Sequence, residues 1–184
     1  MTIDTLDALE TRDPAERERD LMARLPQLVA LAKRAPGWQR ILEGVDPATI
    51  DSRAALATLP ITRKSDLKTL QKDPMPFGGL NTTPMSEMSR VFVSPGPIFD
   101  PEGRGQDWWR FARPLYAGGV REGGLLQNCF SYHFTPAAFM VEGGAFRIGS
   151  AVIPAGAGQT EMQVQAMADL LPDTYVGTPS FLRI

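Results

Sequence analysis

The sequence predicts an α/β protein in which a helical N-terminal layer is followed by a doubly wound, mostly parallel sheet. Apolar residues recur at helical spacing early in the chain, and short β-type runs alternate with helix-length segments from about residue 90 onward. The 17 glycines and 16 prolines punctuate the chain rather than forming a low-complexity tract. Strands separated by crossover helices give a parallel sheet, with ligands at the carboxyl ends of its strands.

Changes of composition divide the 184 residues into three segments. We expect residues 1–72 to be helical, 73–89 to be a Pro/Gly-rich connection, and 90–184 to be an α/β subdomain. A helix is just beginning where the sequence stops, which is unusual for a compact domain. We therefore expect the subdomain to be incomplete at its C-terminus.

Helix signals place the elements of the first segment. The run Asp13–Glu16 combines an N-cap, a proline at the first helical position and a capping-box glutamate. Pro26 predicts a kink or two abutting helices instead of one straight rod. Thr62 is the expected N-cap of a later helix, on which Lys64 and Lys68 share one face; that spacing is more typical of a solvated surface than of a ligand contact.

The last segment shows alternating strand and helix signals. Thr160–Gln163 carries a capping-box pattern at the start of one of the helices. The strand-like runs are Arg90–Val93, Leu125–Phe130, Ser150–Pro154 and Thr174–Gly177, and the helix-like runs are Gln106–Ala117, Phe134–Ile148 and Thr160–Leu171.

Composition argues against several classes of function. With 19 basic and 21 acidic residues the net charge is -2, so no basic surplus indicates nucleic acid or an anionic membrane as a partner. No apolar run reaches the length of a membrane span, and the acidic N-terminus does not resemble a signal peptide. We therefore expect a cytoplasmic protein.

The reactive residue types are too few for the common catalytic and metal sites. Cys129 is the only cysteine, which excludes an internal disulfide, and its apolar surroundings favour a buried hydrophobe over a reactive thiol. One His and one Cys make a metal site built from protein ligands improbable. Ser131 lies near His133 but lacks the Gly-x-Ser-x-Gly elbow, so no catalytic residue is assigned.

The stretch Arg90–Gly103 has the layout of a phosphate-binding loop. A short β-type run enters a Ser/Pro/Gly segment, and a helix is expected from about Gln106. In a strand–loop–helix arrangement, backbone N–H groups can converge on an anion.

Six segments, in matching order and spacing, resemble the N-terminal part of phenylacetate-CoA ligases, in the adenylate-forming (AMP-dependent synthetase) superfamily. No segment is specific alone, but together they make chance agreement an unlikely explanation. The segments are Leu59–Leu67, Ala117–Gly123, Gln127–Tyr132, Gly149–Pro154, Gly158–Gln163 and Gly177–Ser180.

The resemblance implies two half-reactions: a carboxylate attacks the α-phosphate of ATP to give an acyl-adenylate, and the CoA thiol then displaces AMP. It implies ATP/AMP, Mg²⁺ and CoA as cofactors, an aromatic or other apolar carboxylic acid as substrate, and residues 90–184 as the first doubly wound subdomain. The family's downstream AMP motif, hinge and catalytic lysine domain are absent from these residues. We therefore expect the fragment alone to be inactive.

The loop departs from the family's Ser-Ser-Gly-Thr-Thr-Gly-Lys-Pro. The chain instead reads Ser-Pro-Gly-Pro-Ile-Phe-Asp-Pro over 94–101. Ser94, Gly96 and Asp100 are the candidate nucleotide contacts, in a degenerate phosphate loop. Two prolines remove backbone donors, and Asp100 replaces a cation with an anion, so the loop argues against ordinary ATP use.

The run Tyr132-His133-Phe134 falls where the resemblance places the acyl pocket, and these three residues are the candidate substrate contacts. The alternative is that Tyr132 and Phe134 belong to the core while His133 caps the following helix.

Two functions remain open from the sequence. The first is the N-terminal part of an AMP-forming acyl-CoA ligase, with a carboxylic acid and CoA as its partners. The alternative is a non-catalytic module of the same descent that binds an acyl ligand or a partner protein. A homodimer through an exposed apolar face is also left open.

Overall fold

The computed structural model describes residues 4–183. The chain forms two compact units, with a boundary between Pro101 and Glu102. One unit is Thr11–Pro101, and the second combines the segment before Thr11 with the chain from Glu102 onward. The division into 1–72, 73–89 and 90–184 stays a prediction about the sequence segments. Each unit has its own apolar cluster, so each is described separately.

The first unit begins with a long helix whose start the sequence predicts correctly. The Asp13 carboxylate accepts a hydrogen bond from the Glu16 N–H at 2.9 Å and caps helix α1. The helix continues through Pro26 as a single element, which excludes two abutting helices, while a kink at Pro26 stays a prediction. The helices of this unit are α1 (Pro14–Ala32), α2 (Pro36–Ile41), α3 (Arg53–Leu56) and α4 (Lys64–Leu70).

The core of the first unit is small and apolar. Val29, Leu42 and Ile50 are buried together, with partly buried neighbours that include Trp38. Helix α4 follows Arg63 without a side-chain cap, so the expectation of Thr62 as its N-cap is wrong.

A β-hairpin replaces the predicted strand–loop–helix. Strand β1 (Met88–Ser94) is followed, after a turn at residues 95–97, by strand β2 (Ile98–Gly103), and the two form a separate sheet. A connection this short joins antiparallel strands. Burial of Phe92 and Ile98 supplies the apolar driving force. The predicted strand therefore lies outside the parallel sheet, and no helix follows the loop directly.

The second unit contains the predicted parallel sheet. Its strands β3 (Leu125–Asn128), β4 (Ala151–Ile153) and β5 (Thr174–Val176) are ordered β4-β3-β5. Leu126 is paired with Val152 on one side and Thr174 on the other. The elements are α5 (Ala112–Ala117), β3 (Leu125–Asn128), α6 (Ala137–Ile148), β4 (Ala151–Ile153), α7 (Thr160–Leu170), β5 (Thr174–Val176) and α8 (Pro179–Leu182).

Helices α6 and α7 lie on opposite faces of this sheet. Leu126 is fully buried in a cluster with Val141 of α6, whereas its neighbour Gln127 contacts Gln163 of α7. Successive residues of a strand point to opposite faces. The sheet is therefore doubly wound, as the sequence predicts.

Two predicted helices begin later than expected. Asp107 and Arg110 have φ of 50° and 57°, and the Asp107 carboxylate accepts from the N–H groups of Phe111 and Ala112 at 2.5 and 3.1 Å. Left-handed backbone interrupts a helix, so α5 starts at Ala112 rather than near Gln106.

The start of α6 is delayed for a similar reason. Phe134 has a φ of 58°, and the helix begins at Ala137 after Pro136. Helix α7 has nearly its predicted span, but Gln163 points inward, so the predicted capping box is wrong.

Gly144 allows α5 and α6 to approach closely. A Cβ on Gly144 would lie 2.7 Å from the carbonyl carbon of Phe111 and 2.8 Å from the amide nitrogen of Ala112. A Cβ on Gly143 would meet only Asp107, at 3.8 Å. The two adjacent glycines therefore form a matched pair of test positions.

We expect Gly144→Ala to lower the free energy of unfolding, because backbone atoms cannot yield to the added methyl group. Gly143→Ala should instead raise it by up to about 1 kcal/mol through helix propensity. Urea denaturation of both variants measures the difference. Equal stabilisation by the two alanines would contradict the close packing of α5 against α6.

Candidate functional site

The loops that follow β3 and β4 leave neighbouring strand ends at one edge of the sheet. The chain leaves β3 towards α6 on one face and leaves β4 towards α7 on the other, and we call the space between these two connections the crevice. The Gly156 N–H, after β4, donates to the Asn128 carbonyl at 2.9 Å. A Cβ on Gly156 would lie 3.9 Å from Cδ2 of Tyr132, so these loops meet beside the Tyr132 ring.

Tyr132 is held rigidly at this crevice. Its hydroxyl donates to Oε2 of Glu142 at 3.1 Å and accepts from Nδ2 of Asn128 at 3.0 Å. Its ring meets Phe139 edge to face, with centroids 5.3 Å apart. Asn128 is fully buried, and its amide also donates to the Ala138 carbonyl at 2.9 Å. The phenol is therefore fixed from both sides, which leaves the ring as the surface available to a ligand.

Burial raises the pKa of the Tyr132 hydroxyl well above its ordinary value, and the adjacent Glu142 carboxylate acts in the same direction. The phenol therefore keeps its proton and donates a hydrogen bond to Glu142. Sequence reasoning singled out Tyr132 but missed both Asn128 and Glu142. Asn128 is a polar residue near the carboxyl end of a predicted strand. Ligands of parallel sheets bind at such ends, so its position was a detectable signal.

The other two residues of the predicted acyl pocket are arranged differently. His133 is exposed, and its backbone N–H donates to Oγ of Ser131 at 3.2 Å. Phe134 is 76% exposed with a left-handed backbone. The alternative that Phe134 belongs to the core is therefore wrong, as is a helix cap at His133, because α6 begins at Ala137. Their role as substrate contacts stays a prediction.

A buried polar network lies on the α7 face of β3. Nε2 of Gln163 donates to the carbonyls of Gly156 and Gly158 at 2.9 and 2.7 Å. Its Oε1 accepts from Sγ of Cys129 at 3.0 Å and from Nε2 of Gln127 at 3.3 Å. Cys129 is buried, as the sequence predicts, and burial raises the pKa of its thiol. The thiol is therefore a hydrogen-bond donor within the structure and remains protonated at neutral pH.

The hairpin brings Ser94, Gly96 and Asp100 together, with the Ser94 hydroxyl donating to the Asp100 carboxylate. The Phe99 N–H donates to Oε1 of Gln71 at 2.9 Å, and its carbonyl accepts from Nε2 of the same side chain at 2.7 Å. Burial raises the pKa of Asp100, and the charge of Lys64 opposes this shift.

This hairpin does not fit a phosphate group. Two of the turn residues are prolines without an N–H, the Phe99 N–H is occupied by Gln71, and the Ser94 hydroxyl is directed at a carboxylate. Lys64 and Lys68 are exposed, as expected, and Cε of Lys68 lies 3.4 Å from where a Cβ on Gly96 would be. These cations are beside the turn, but nucleotide contacts at Ser94, Gly96 and Asp100 stay a prediction.

Among residues 4–183, no group of three or more His, Cys, Asp or Glu side chains is placed to hold a metal ion. Within the same range, no helix has both the length and the apolar character needed to cross a membrane.

We expect Asp100→Asn to stabilise the protein at neutral pH. Because the pKa of Asp100 is raised above 3.8, the folded state retains this proton more readily than the unfolded chain, and ionisation on raising the pH lowers stability. The advantage of the variant should vanish below the unfolded pKa of 3.8. Urea unfolding at about pH 7 and about pH 3 measures it.

Asp51→Asn, at an exposed loop position of the same unit, is the control and should change stability by less than about 0.5 kcal/mol. An Asp100→Asn variant that is less stable at neutral pH than the wild type would contradict the burial argument.

Comparison with known proteins identifies relatives, although no protein-family model matches the chain. The phenylacetate-coenzyme A ligase of Thermus thermophilus is 36% identical over 181 residues, covering 92% of this chain and 40% of that ligase. The phenylacetate-coenzyme A ligase of Escherichia coli is 30% identical over 186 residues, covering 96% and 41%. The chain thus spans about two fifths of the length of these curated relatives.

Solved structures agree with the sequence relatives. A crystal structure of 2-hydroxyisobutyryl-CoA ligase in an open conformation, in complex with 2-HIB-AMP and CoA, is 28% identical with a TM-score of 0.85. The similarity covers 93% of this chain and 42% of that ligase. The chain belongs to the phenylacetate-CoA ligase family of adenylate-forming enzymes and corresponds to the N-terminal part of its members.

Proposed function

We propose that this chain is part of an AMP-forming acyl-CoA ligase and supplies one wall of its acid-binding site. The observation that carries the proposal is the anchored Tyr132 ring in the crevice between β3 and β4. Support comes from the sequence relatives, which are named phenylacetate-coenzyme A ligases. It also comes from the structural relative in complex with 2-HIB-AMP and CoA.

The geometry favours an aromatic or other apolar acid. Both hydrogen-bonding directions of the Tyr132 hydroxyl are occupied by Asn128 and Glu142, so the ring offers apolar surface rather than a polar handle. Gly156 adds no side chain beside it. A neutral aromatic wall next to open space suits the apolar body of a carboxylic acid.

The residues of this chain would bind and orient the acid. ATP, which the family uses with Mg²⁺, would supply the AMP that activates the carboxylate, and CoA would accept the acyl group as a thioester. We assign no step to the triphosphate, because the hairpin containing Ser94 and Asp100 does not fit it.

A second candidate is a non-catalytic module that binds an acyl ligand. It is favoured by one observation, the bond between Ser94 and Asp100 in a turn that contains two prolines. A module of this kind would retain the aromatic wall and bind the acid without adenylating it.

Binding of phenylacetate to the chain tests the proposed acid site. We expect amide chemical shifts to move in residues 130–134 and 155–158, because the Tyr132 ring and Gly156 border the crevice. Tyr132→Phe should weaken binding by about tenfold, since the ring loses two anchoring hydrogen bonds. Titration by two-dimensional NMR measures both effects.

Tyr116→Phe is the matched control. It removes another tyrosine hydroxyl of the same unit, whose hydrogen bond to Oδ1 of Asp4 at 2.6 Å involves no residue of the crevice. Its affinity should stay within about twofold of the wild type. Shifts confined to other surfaces, or equal losses in both variants, would refute the proposed wall.

We expect the chain alone to form no thioester from phenylacetate, ATP, Mg²⁺ and CoA, because it spans only two fifths of its curated relatives. Chromatographic detection of phenylacetyl-CoA measures this, with the Escherichia coli ligase as positive control. Thioester formed by residues 1–184 would overturn the expectation. Phenylacetate binding that ATP, AMP and CoA leave unchanged would favour the non-catalytic module.

A further inference from the structure

The loop between β4 and α7 has an unusual backbone. Gly156, Gly158 and Gln159 have φ values of 69°, 85° and 49°, so left-handed residues recur within a few positions. Glycine adopts this conformation freely, which means that the loop does not determine its own shape. Contacts from outside the loop must therefore determine where it lies.

Gln163 provides these contacts. It is the buried residue of α7, at 5% exposed, whereas its neighbours Met162 and Val164 are 67% and 60% exposed. On the same face of α7, Ala166 and Met167 are only partly buried, so the directional bonds of the Gln163 amide hold the helix together with limited apolar contact. Both N–H groups of the Gln163 side chain donate to backbone carbonyls of the loop, those of Gly156 and Gly158.

The opposite end of the same amide is tied to β3. Its Oε1 accepts from Cys129 and Gln127, which fixes which way the amide group points. Gln127 is fully buried, and its own Oε1 has no partner within residues 4–183. The strand therefore carries a buried amide that donates to Gln163 while its acceptor is unpaired, an arrangement that packing alone does not favour.

A continuous chain of hydrogen bonds joins this network to the aromatic wall. The side-chain amide of Gln163 donates to the Gly156 carbonyl, and the Gly156 N–H donates to the backbone carbonyl of Asn128. The side-chain amide of Asn128 in turn donates to the Tyr132 hydroxyl. We propose that Gln163 is a positioning residue that sets the 154–159 loop against Tyr132 and so determines the width of the acid crevice. This inference rests on the proposed function.

The test compares two glutamines of α7. Gln163→Met keeps the length of the side chain but removes both donors to the loop. Gln165→Met is the matched control, because Gln165 is exposed and its amide donates to Oδ1 of Asp169 at 2.8 Å on the helix surface. Both variants remove one amide from the same helix, but only the first loses contact with the loop.

We expect Gln163→Met to speed hydrogen exchange of the Gly156 amide, whose N–H donates to the Asn128 carbonyl, by about tenfold or more and to weaken phenylacetate binding by about tenfold. Gln165→Met should change each by less than about twofold. Exchange is measured by NMR without ligand, and affinity by titration with phenylacetate. Unchanged exchange and unchanged affinity in Gln163→Met would overturn the proposal.

The two measurements separate this inference from the function on which it rests. Failure of the wild type to bind phenylacetate would refute the proposed acid site, whereas loop exchange would still show whether Gln163 positions the loop. If Gln163→Met does not fold, Gln163→Asn carries the test, since its shorter amide cannot reach both carbonyls. Global unfolding of both variants would make Gln163 a general stability residue and overturn the positioning role.

Discussion

The alternation of Leu126 and Gln127 along β3 is the constraint on which the second unit depends. Leu126 points to the α6 face, where full burial of such a side chain contributes about 1.5–3 kcal/mol. Gln127 points to the α7 face, where its amide meets Gln163. Apolar burial of Leu126 therefore contributes on one face of the strand, and the buried hydrogen bond of Gln127 contributes on the other. A register shift by one residue would exchange the two and leave both mismatched.

The polar face has a different physical character from the apolar one. Apolar contacts tolerate small displacements, whereas a buried amide that loses its partner costs about 1–3 kcal/mol. Gln163 on the α7 face and Asn128, whose side chain bonds the Ala138 carbonyl on the α6 face, thus determine the positions of the loops at the strand ends more narrowly than packing could. Tyr132 receives its orientation from Asn128 of β3 and from Glu142 of α6. A ring fixed from two elements is suited to recognising shape.

The parallel sheet and the span of α7 could be predicted from the sequence because β-type runs and helical lengths alternate there without ambiguity. The hairpin could not, because Arg90–Val93 shows the same pattern whether the next element is a helix or a strand. Thr160–Gln163 satisfied a capping pattern by spacing alone, but the buried amide of Gln163 gains more from the loop carbonyls. Tyr132 was identified through the family resemblance. Glu142 lies ten residues later, on α6, and no sequence pattern indicates its contact with Tyr132.

The two candidate regions lead to different chemical conclusions. At the hairpin, the Ser94 hydroxyl and the Phe99 N–H are satisfied within the protein, so an incoming phosphate would have to break existing hydrogen bonds. At the strand ends, the polar groups are also satisfied, but by partners that leave the Tyr132 ring open to a ligand. The apolar acid that we propose as ligand would cover that ring without breaking a hydrogen bond. The proposed acid binding therefore places fewer demands on this chain than nucleotide binding would.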